Sequence, residues 1–368
     1  MNTNRRQVIK AATATAVAAA GTLGAKSAFA SPTPTPTTTT AIPTKGAAVV
    51  LLGTAAGPVP MRGRKGISSA LVVDGRIYLI DMGHGTFDQF ELSGLDIADL
   101  DHVFVTHLHS DHLADLYNLL WLRFGGINPL THKVTMHGPG PAGALPASAS
   151  GEAVATVSPE NPAPGLNDFI TSSITATAYD INIRMRDEGW PDPRALVQVE
   201  EITVPEVGAS PTGEMAPAMK PFTVFSDDRV TVTAILVQHP PVFPSFAFRF
   251  DTAYGSVAFS GDTTITDNTV TIAQDADILV HEAIDMQAVE DAGNLTPEQI
   301  QHHENSHSDV TRIGGEVAQP ANVKTLVLSH LAPGSKALPD SAWKSKAQKG
   351  FSGEVVVGND LDVIRLQK

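Results

Sequence analysis

The run HLHSDH at residues 107–112 directly follows an apolar stretch at residues 103–105. Three imidazoles and one carboxylate within six residues form a dense set of metal ligands. A loop that leaves a buried strand can point alternate side chains the same way, so His107 and His109 can converge on one cation. Asp111 and His112 are then left for a second cation. A solvated, His-rich loop is the alternative, but it does not explain this complete set, so the sequence predicts a metal site.

Three more polar residues follow apolar, β-branched stretches further along the chain. His239 follows residues 230–237, Asp262 follows residues 256–259, and His330 follows residues 326–328. This pattern is typical of buried strands that deliver a side chain at their exposed ends. Active sites of α/β proteins lie at such strand ends. A single His there is usually structural, but three such residues behind HLHSDH predict one shared site.

Other motifs accompany these ligands in a fixed order along the chain. They are GTAAGPVPMRGRKGISSALVV, YLIDMGHGT, HLHSDH, GDT, VHEA, HSD and LSHLAP. With these motifs the chain resembles the metallo-β-lactamase-fold hydrolases, and among them the ribonuclease Z and secreted arylsulfatase branches. The resemblance spans about residues 46–364. It implies an α/β fold, a four-layer αββα sandwich built from two βα halves.

The resemblance also assigns the ligands of two divalent metal ions. One ion would be held by His107, His109 and His239, the other by Asp111, His112 and His330, and Asp262 would bridge them. Nitrogen and oxygen ligands without thiolate suit Zn²⁺ and also tolerate Mn²⁺ or Fe²⁺. Two cations about 3.5 to 4 Å apart can share a water, lower its pKa towards about 7 and orient the resulting hydroxide for attack. Asp111 is counted among the catalytic residues because it offsets part of the dication charge.

A leaving alkoxide or phenoxide also needs a proton. By the same resemblance, His307 of the HSD motif is the general acid and Glu282 of the VHEA motif orients it. The alternative role for His307 is to cap a helix that starts near Ser308. Asp81, after the strand of YLIDMGHGT, is interpreted as a carboxylate that braces the HLHSDH loop. The remaining histidines are excluded from the metal set, although His281 could support it.

Departures from the family pattern restrict the substrate. Ribonuclease Z carries a long arm for transfer RNA between its third ligand His and the bridging Asp, but only 22 residues lie between His239 and Asp262. The chain carries a net charge of −14, and residues 1–30 hold four basic and no acidic residues, so the remainder carries −18. Such a surface repels polyanions, and we expect no nucleic-acid partner. Asp262 argues against true β-lactamases, and His109, where diiron relatives place Glu, favours hydrolysis over redox chemistry.

The N-terminus predicts export. NRRQVIK at residues 4–10 resembles a twin-arginine signal, a mildly apolar stretch follows, and Ala28-Phe29-Ala30 fits a cleavage site. Residues 1–30 would be the signal peptide, read by the export machinery, and the mature protein would be periplasmic or secreted. The alternative is a disordered basic N-terminus. No segment reaches the roughly 18 apolar residues of a membrane anchor, and the absence of cysteine excludes disulfides.

Residues 31–45 form a Thr/Pro-rich linker, and residues 46–368 are predicted to form one hydrolase domain. Its first half runs from about 46 to 137, with strands near Ala48, Ser68, Ile77, His102 and Val134, and its second half starts near Phe222.

An insertion at about 138–220 separates the two halves, with a helix expected over residues 166–179. Its side chains Tyr179, Arg184 and Arg186 could form a lid that binds an anionic ester. Alternatively, these arginines lie on an exposed helix end and pair with Asp180, Asp187 and Glu188.

The sequence therefore predicts an exported dinuclear metallohydrolase that acts on an ester of a small anionic group. Residues 180–191, the short connection from His239 to Asp262 and the signal peptide resemble the arylsulfatase-like branch, so sulfate monoesters are expected first. Phosphodiesters are the alternative, followed by lactones or acyl esters. A periplasmic metal-binding protein without turnover is a further alternative, although it would not need His307 and Glu282. Related enzymes are often dimers, so a homodimer is one expected oligomeric state.

Overall fold

The computed structural model describes residues 42–148, 151–293, 295–334 and 338–366. The predicted signal peptide at residues 1–30 and all but residues 42–45 of the predicted linker lie outside these ranges, so both stay predictions. Within the described residues, no helix is long and apolar enough to cross a membrane.

The first sheet contains the strands of the predicted first half. Its strands β1 to β3 pair antiparallel, and β3 to β6 pair parallel. Every residue of β1 is buried, as expected for a strand covered on both faces. The strands are β1 (Ala47–Gly53), β2 (Ser68–Val73), β3 (Arg76–Ile80), β4 (Leu100–Phe104), β5 (Val134–Pro139) and β6 (Val197–Ile202).

The second sheet repeats this plan. Its strands β7 to β10 pair antiparallel, and β10 to β13 pair parallel. The shared order of antiparallel and then parallel strands fits two related halves, although the sequence shows no internal repeat. The strands are β7 (Phe222–Ser226), β8 (Val230–Leu236), β9 (Phe246–Thr252), β10 (Gly255–Phe259), β11 (Ile278–Ile284), β12 (Thr325–Ala332) and β13 (Glu354–Val357).

Ten α-helices are described along the chain, and most of them contribute buried apolar residues to the core. They are α1 (Thr86–Ser93), α2 (Ser110–Leu113), α3 (Leu116–Trp121), α4 (Leu166–Ala176), α5 (Ala178–Ile183), α6 (Asp267–Ile272), α7 (Met286–Asp291), α8 (Pro297–Ser306), α9 (Val310–Ile313) and α10 (Asp340–Ala347). Wider helical turns at Arg184–Glu188 and Gly314–Ala318 extend α5 and α9, and 3₁₀ turns lie at Ile97–Asp99 and Pro193–Ala195.

The apolar residues form three core layers. In β1, Val49 and Leu51 face the second sheet, whereas Val50 and Leu52 face the helices, as the two-residue period of a strand requires. The central layer lies between the sheets and is rich in phenylalanine, including Phe248. A third layer packs the second sheet against α9 and α10. The four-layer αββα sandwich predicted from the sequence is therefore confirmed.

Two strands depart from the predicted halves. β6 lies inside the predicted insertion at 138–220, yet it pairs with β5 as an edge strand of the first sheet. A last strand, β14 (Val363–Arg365), comes from the second half but pairs with β1. β6 is largely exposed, and β14 has only three residues, so neither shows the long apolar pattern that marks the buried strands. The end of the chain thus closes the first sheet.

Candidate metal centre

The HLHSDH segment lies where β4 leaves the first sheet. β4 ends at Phe104, and the buried His107 follows the last backbone pairing, in which the N–H of Val105 donates to the carbonyl of His137 at 2.8 Å. His109 has an extended backbone and is the N-cap of the short helix α2. The change from extended backbone to helix brings Asp111 and His112 towards the same space as the two preceding histidines.

The structure brings a first group of four predicted ligands together. The Nδ1 atom of His109 lies 3.1 Å from Nε2 of His107 and 3.2 Å from Nε2 of His239. The Oδ2 atom of Asp262 lies 3.8 Å from Nε2 of each of His107 and His239. One ligand atom from each of the four residues falls within 4.8 Å of the others, which is close enough to surround one metal ion.

A second group shares Asp262 with the first. Its Oδ2 atom lies 3.3 Å from Nε2 of His112 and 3.2 Å from Nε2 of His330. Oδ2 of Asp111 lies 3.7 Å and 3.4 Å from the same two nitrogens. All four side chains are buried, and their ligand atoms again fall within 4.8 Å of one another. The predicted bridging residue therefore stands between the two groups.

His330 reaches the centre through an irregularity in β12. The pairing of β11 with β12 matches Glu282 with Ser329 and Ala283 with Leu331, so His330 is an extra, bulged residue. Its φ of 44° lies in the left-handed region, which is uncommon for residues other than glycine. A bulge redirects a side chain. The prediction that the strand ends before His330 is wrong, because β12 continues to Ala332 on the far side of the bulge.

The electrostatics of the two groups fit divalent cations. Burial holds the pKa of His107 well below its ordinary value and lowers that of His239 to about 3, so both imidazoles are neutral and keep a lone pair for a metal. Burial also lowers the pKa of His112, but the carboxylates of Asp262 and Asp81 outweigh it and raise that pKa well above the ordinary value. Nε2 of His112 is buried without a hydrogen-bond partner. Bound metal ions would compensate the negative charge of the carboxylates and accept the lone pairs of the histidine nitrogens.

Asp81 supports the ligands from behind, as predicted. Its Oδ2 lies 2.8 Å from Nδ1 of His112, and its carboxylate accepts hydrogen bonds from the N–H and the hydroxyl of Thr106, both at 2.8 Å. The carbonyl of Ser306 lies 2.8 Å from Nδ1 of His239 and plays the same part. Such partners fix the tautomer and the ring orientation of a ligating histidine.

Replacing Asp81 by asparagine is expected to lower zinc affinity by about 10- to 100-fold, because the amide cannot hold His112 as a carboxylate does. Competition with a chromophoric chelator measures this affinity. Asp227→Asn is the matched control, since Asp227 accepts a 2.6 Å hydrogen bond from Tyr78 and belongs to neither ligand group. Wild-type affinity in Asp81→Asn would show that the carboxylate does not support the metal.

Glu282 and His307 form a pair beside the two ligand groups. Oε1 of Glu282 lies 2.9 Å from Nδ1 of His307 and also accepts the N–H of Thr263 at 2.9 Å. The His307 ring lies 5.1 Å from that of His239, centroid to centroid. Burial lowers the pKa of His307, but Glu282 outweighs it and raises that pKa to about 9. The capping alternative for His307 is wrong, because Asp309 caps α9.

The three predicted substrate residues lie on α5 and the turn that follows it. The guanidinium of Arg184 donates to Asp180 at 3.0 Å, lies 3.4 Å from Glu188 and stacks over Trp190 at 4.4 Å. Tyr179 is 83% exposed. In the described part of the chain, no hydrogen bond or ion pair joins Tyr179, Arg184 or Arg186 to a residue of the ligand groups. The contacts of Arg184 follow the alternative of an exposed helix end, and the lid stays a prediction.

Sequence reasoning missed the backbone groups that hold the ligands. The N–H of Gly57, in the loop after β1, donates to Oδ2 of Asp111 at 3.0 Å. No side-chain pattern indicates such a contact, because any residue could supply the N–H. The excluded histidines belong to neither ligand group in the described structure: His84, His102, His132, His137, His281, His302 and His303.

Comparison with known proteins places this site in a family. Residues 62–313 match the model of the Metallo-beta-lactamase superfamily. The chain therefore belongs to that superfamily and is a metal-dependent hydrolase of it.

Among its relatives are two enzymes named ribonuclease Z. That of Mycobacterium bovis (strain BCG / Pasteur 1173P2) is 29% identical over 85% of this chain and 96% of its own length. That of Mycobacterium sp. (strain KMS) is 31% identical over 85% of this chain and 94% of its own length. Human tRNase Z, short form, is similar in structure, with a TM-score of 0.57 and 22% identity over 87% of this chain and all of the human chain. At that identity the human structure supports the fold alone.

Proposed function

We propose that this protein is a metal-dependent phosphodiesterase that hydrolyses small phosphodiesters. The observation that carries the proposal is the Glu282–His307 pair, which lies beside two ligand groups that share Asp262. A centre that only stores metal needs no proton donor. The combination of paired metal ligands with an oriented, half-buried imidazole is suited to cleaving an ester whose leaving group must be protonated.

Each residue has a distinct task in this reaction. When bound, the two cations activate water and neutralise charge that develops on the phosphoryl oxygens. Glu282 holds Nδ1 of His307, so Nε2 is the nitrogen left to donate a proton to the leaving oxygen. Because the carboxylate raises the pKa of His307, the imidazole is protonated at neutral pH and can act as an acid. Asp262 keeps the two ligand groups in one fixed arrangement.

The relatives favour phosphodiesters over the sulfate monoesters that the sequence motifs put first. Both mycobacterial relatives carry the name ribonuclease Z and align over nearly their whole length. One of the three features that favoured sulfate was the segment 180–191, and its Arg184 is already paired with Asp180 and Glu188. A two-cation centre with a shared carboxylate and a proton donor is suited to hydrolysing a phosphodiester. We therefore place phosphodiesters before sulfate monoesters as the expected substrates.

A small diester fits the structure better than a polynucleotide. The 22 residues between His239 and Asp262 are largely taken up by β9 and β10, which pair antiparallel within the second sheet. No separate arm extends from this connection, all of whose residues are described. The chain also carries a net charge of −14, which repels a polyanion beyond the immediate reach of the metals.

Turnover of bis-nitrophenyl phosphate and of nitrophenyl sulfate by one zinc-loaded preparation tests the proposal. We expect kcat/KM to be at least about tenfold higher for the diester, which corresponds to about 1.4 kcal/mol of transition-state free energy. Asp262→Ala run in parallel identifies turnover that does not come from this centre. A preference for the sulfate ester would restore the arylsulfatase interpretation.

A further inference from the structure

The loop at residues 54–66, between β1 and β2, touches the second ligand group from two sides; we name it the brace loop. Gly57 donates its N–H to Oδ2 of Asp111 at 3.0 Å. The carbonyl of Thr54 accepts the N–H of Leu331 at 2.9 Å, and the N–H of Ala56 donates to the carbonyl of Leu331 at 3.2 Å. Leu331 directly follows the bulged ligand His330. The brace loop therefore contacts one ligand of this group directly and is bonded to the residue next to another.

These contacts act on the atoms that would face a metal. The Asp111 oxygen that accepts the Gly57 N–H is the one that lies 3.4 Å from Nε2 of His330. A hydrogen bond to a ligating carboxylate fixes its orientation and tunes its affinity for metal. His330 also depends on its neighbours, because its left-handed backbone is held only by the surrounding pairing.

A buried charged network anchors the base of the brace loop. Arg64 is only 3% exposed, and its Nη1 donates to the hydroxyl of Thr54 and to the carbonyl of Gly358, both at 2.6 Å. The Thr54 hydroxyl donates in turn to Oδ1 of Asp360 at 2.7 Å, and the N–H of Lys65 donates to Oδ2 of the same residue at 2.7 Å. The network thus ties the loop to residues nearly 300 positions away in the chain.

The network is unusual for a purely structural feature. Burying a guanidinium is costly even when it is paired, and packed apolar side chains often stabilise a fold as well or better. Nη2 of Arg64 also lies 3.7 Å from the exposed carboxylate of Asp340. Several groups therefore hold the Arg64 guanidinium in place. This arrangement gives a fixed position to a loop whose middle consists of the exposed, apolar residues Pro58, Val59 and Pro60.

We propose that Arg64 and Thr54 are positioning residues for the second metal group, acting through the brace loop on Asp111 and His330. The proposal rests on the two-metal centre of the proposed function but not on which ester is cleaved. It predicts that loosening the network weakens the metal held by Asp111, His112, Asp262 and His330. The metal held by His107, His109 and His239 is expected to change much less, since no hydrogen bond of the described residues joins the brace loop to these three histidines.

Thr54→Val tests the proposal, because valine keeps the shape of threonine but removes the hydroxyl that links Arg64 to Asp360. We expect affinity for one of the two zinc ions to fall by about tenfold or more, measured by chelator competition, while affinity for the other changes less than twofold. Thr54→Ser keeps the hydroxyl and is expected to bind both ions as the wild type does. Tyr78→Phe is the matched control, since it removes a comparable 2.6 Å hydroxyl-to-carboxylate hydrogen bond, to Asp227, outside the ligand groups.

Melting temperatures of the metal-free proteins separate positioning from general destabilisation. If Thr54→Val and Tyr78→Phe lose similar stability but only Thr54→Val loses zinc affinity, the proposal is supported. Unchanged affinity for both ions in Thr54→Val, or an equal loss in Tyr78→Phe, overturns it. Arg64→Lys gives a second test, because lysine keeps the charge but lacks the planar fork. A wild-type protein that binds two zinc ions without cleaving a diester would refute the proposed function and leave this inference intact.

Discussion

Replacing Asp262 by alanine is expected to abolish turnover and to weaken metal binding in both ligand groups at once. Its Oδ2 atom lies between 3.2 and 3.8 Å from one nitrogen of each of His107, His112, His239 and His330. Among the described residues, Asp262 is the one that belongs to both the group around His109 and the group around Asp111. We expect kcat to fall by about a thousandfold or more, since losing the charge stabilisation of bound cations costs about 4 kcal/mol or more.

Metal content and turnover measured on the same preparation test this result. Asp251→Ala is a suitable control, because this exposed carboxylate on β9 pairs with Arg249 and belongs to neither ligand group of the described residues. The control is expected to keep two metal ions and full activity. Two tightly bound ions together with wild-type turnover in Asp262→Ala would contradict the bridging role.

Replacing His307 by alanine is expected to slow the cleavage of esters with poor leaving groups by about 10²- to 10⁴-fold. Nitrophenolate leaves without a proton, so bis-nitrophenyl phosphate should be affected far less than an alkyl diester. Glu282→Gln should also slow the alkyl diester more than bis-nitrophenyl phosphate, but with a smaller loss of turnover. The amide still holds Nδ1 of His307 but no longer raises the pKa of the imidazole.

The dependence of turnover on pH also tests the role of His307 as a proton donor. A pKa raised to about 9 means that His307 is the protonated acid below that pH and loses its proton as the pH rises through it. Bound cations oppose this shift, so the alkyl ester should show a declining limb at or below about pH 9. His303→Ala is the control, since His303 lies one helical turn before His307, with the rings 6.0 Å apart. Equal losses for both leaving groups in His307→Ala would rule out the proton-donor role.

Much of the fold could be predicted because its strands are buried on both faces. β1 is a continuous apolar run, and every residue of β1, β2 and β11 is buried, which leaves few alternatives to a covered sheet. β6 could not be assigned, since it lies at an edge and alternates between partly exposed and exposed residues. β14 has only three residues, and it depends on pairing with β1, more than 300 positions away.

The ligand set was visible in the sequence for a related reason. His107, His239 and Asp262 follow the ends of buried strands, where a polar residue contrasts with its apolar neighbours. The bulge at His330 was hidden, because an extra residue in a strand is defined by its partner strand and not by its own sequence. The N–H of Gly57 and the carbonyl of Ser306 were hidden as well, since every residue offers the same backbone groups.

The predicted substrate residues carry a local charge pattern that suits an exposed helix end as well as a lid. Arg184 lies four residues from both Asp180 and Glu188, a spacing at which helical side chains meet and pair. This spacing was already present in the sequence and favoured an exposed helix end. A lid over the metals would require these side chains to exchange their present partners for a ligand.

We propose that two metal ions, held by groups that share Asp262, give this protein phosphodiesterase activity. A direct test is to titrate the metal-free wild-type protein with zinc while following bound zinc and bis-nitrophenyl phosphate turnover in the same sample. We expect turnover to rise until two zinc ions are bound per chain and then to stay constant. Full turnover without metal, or two bound zinc ions without any turnover, would contradict this proposal.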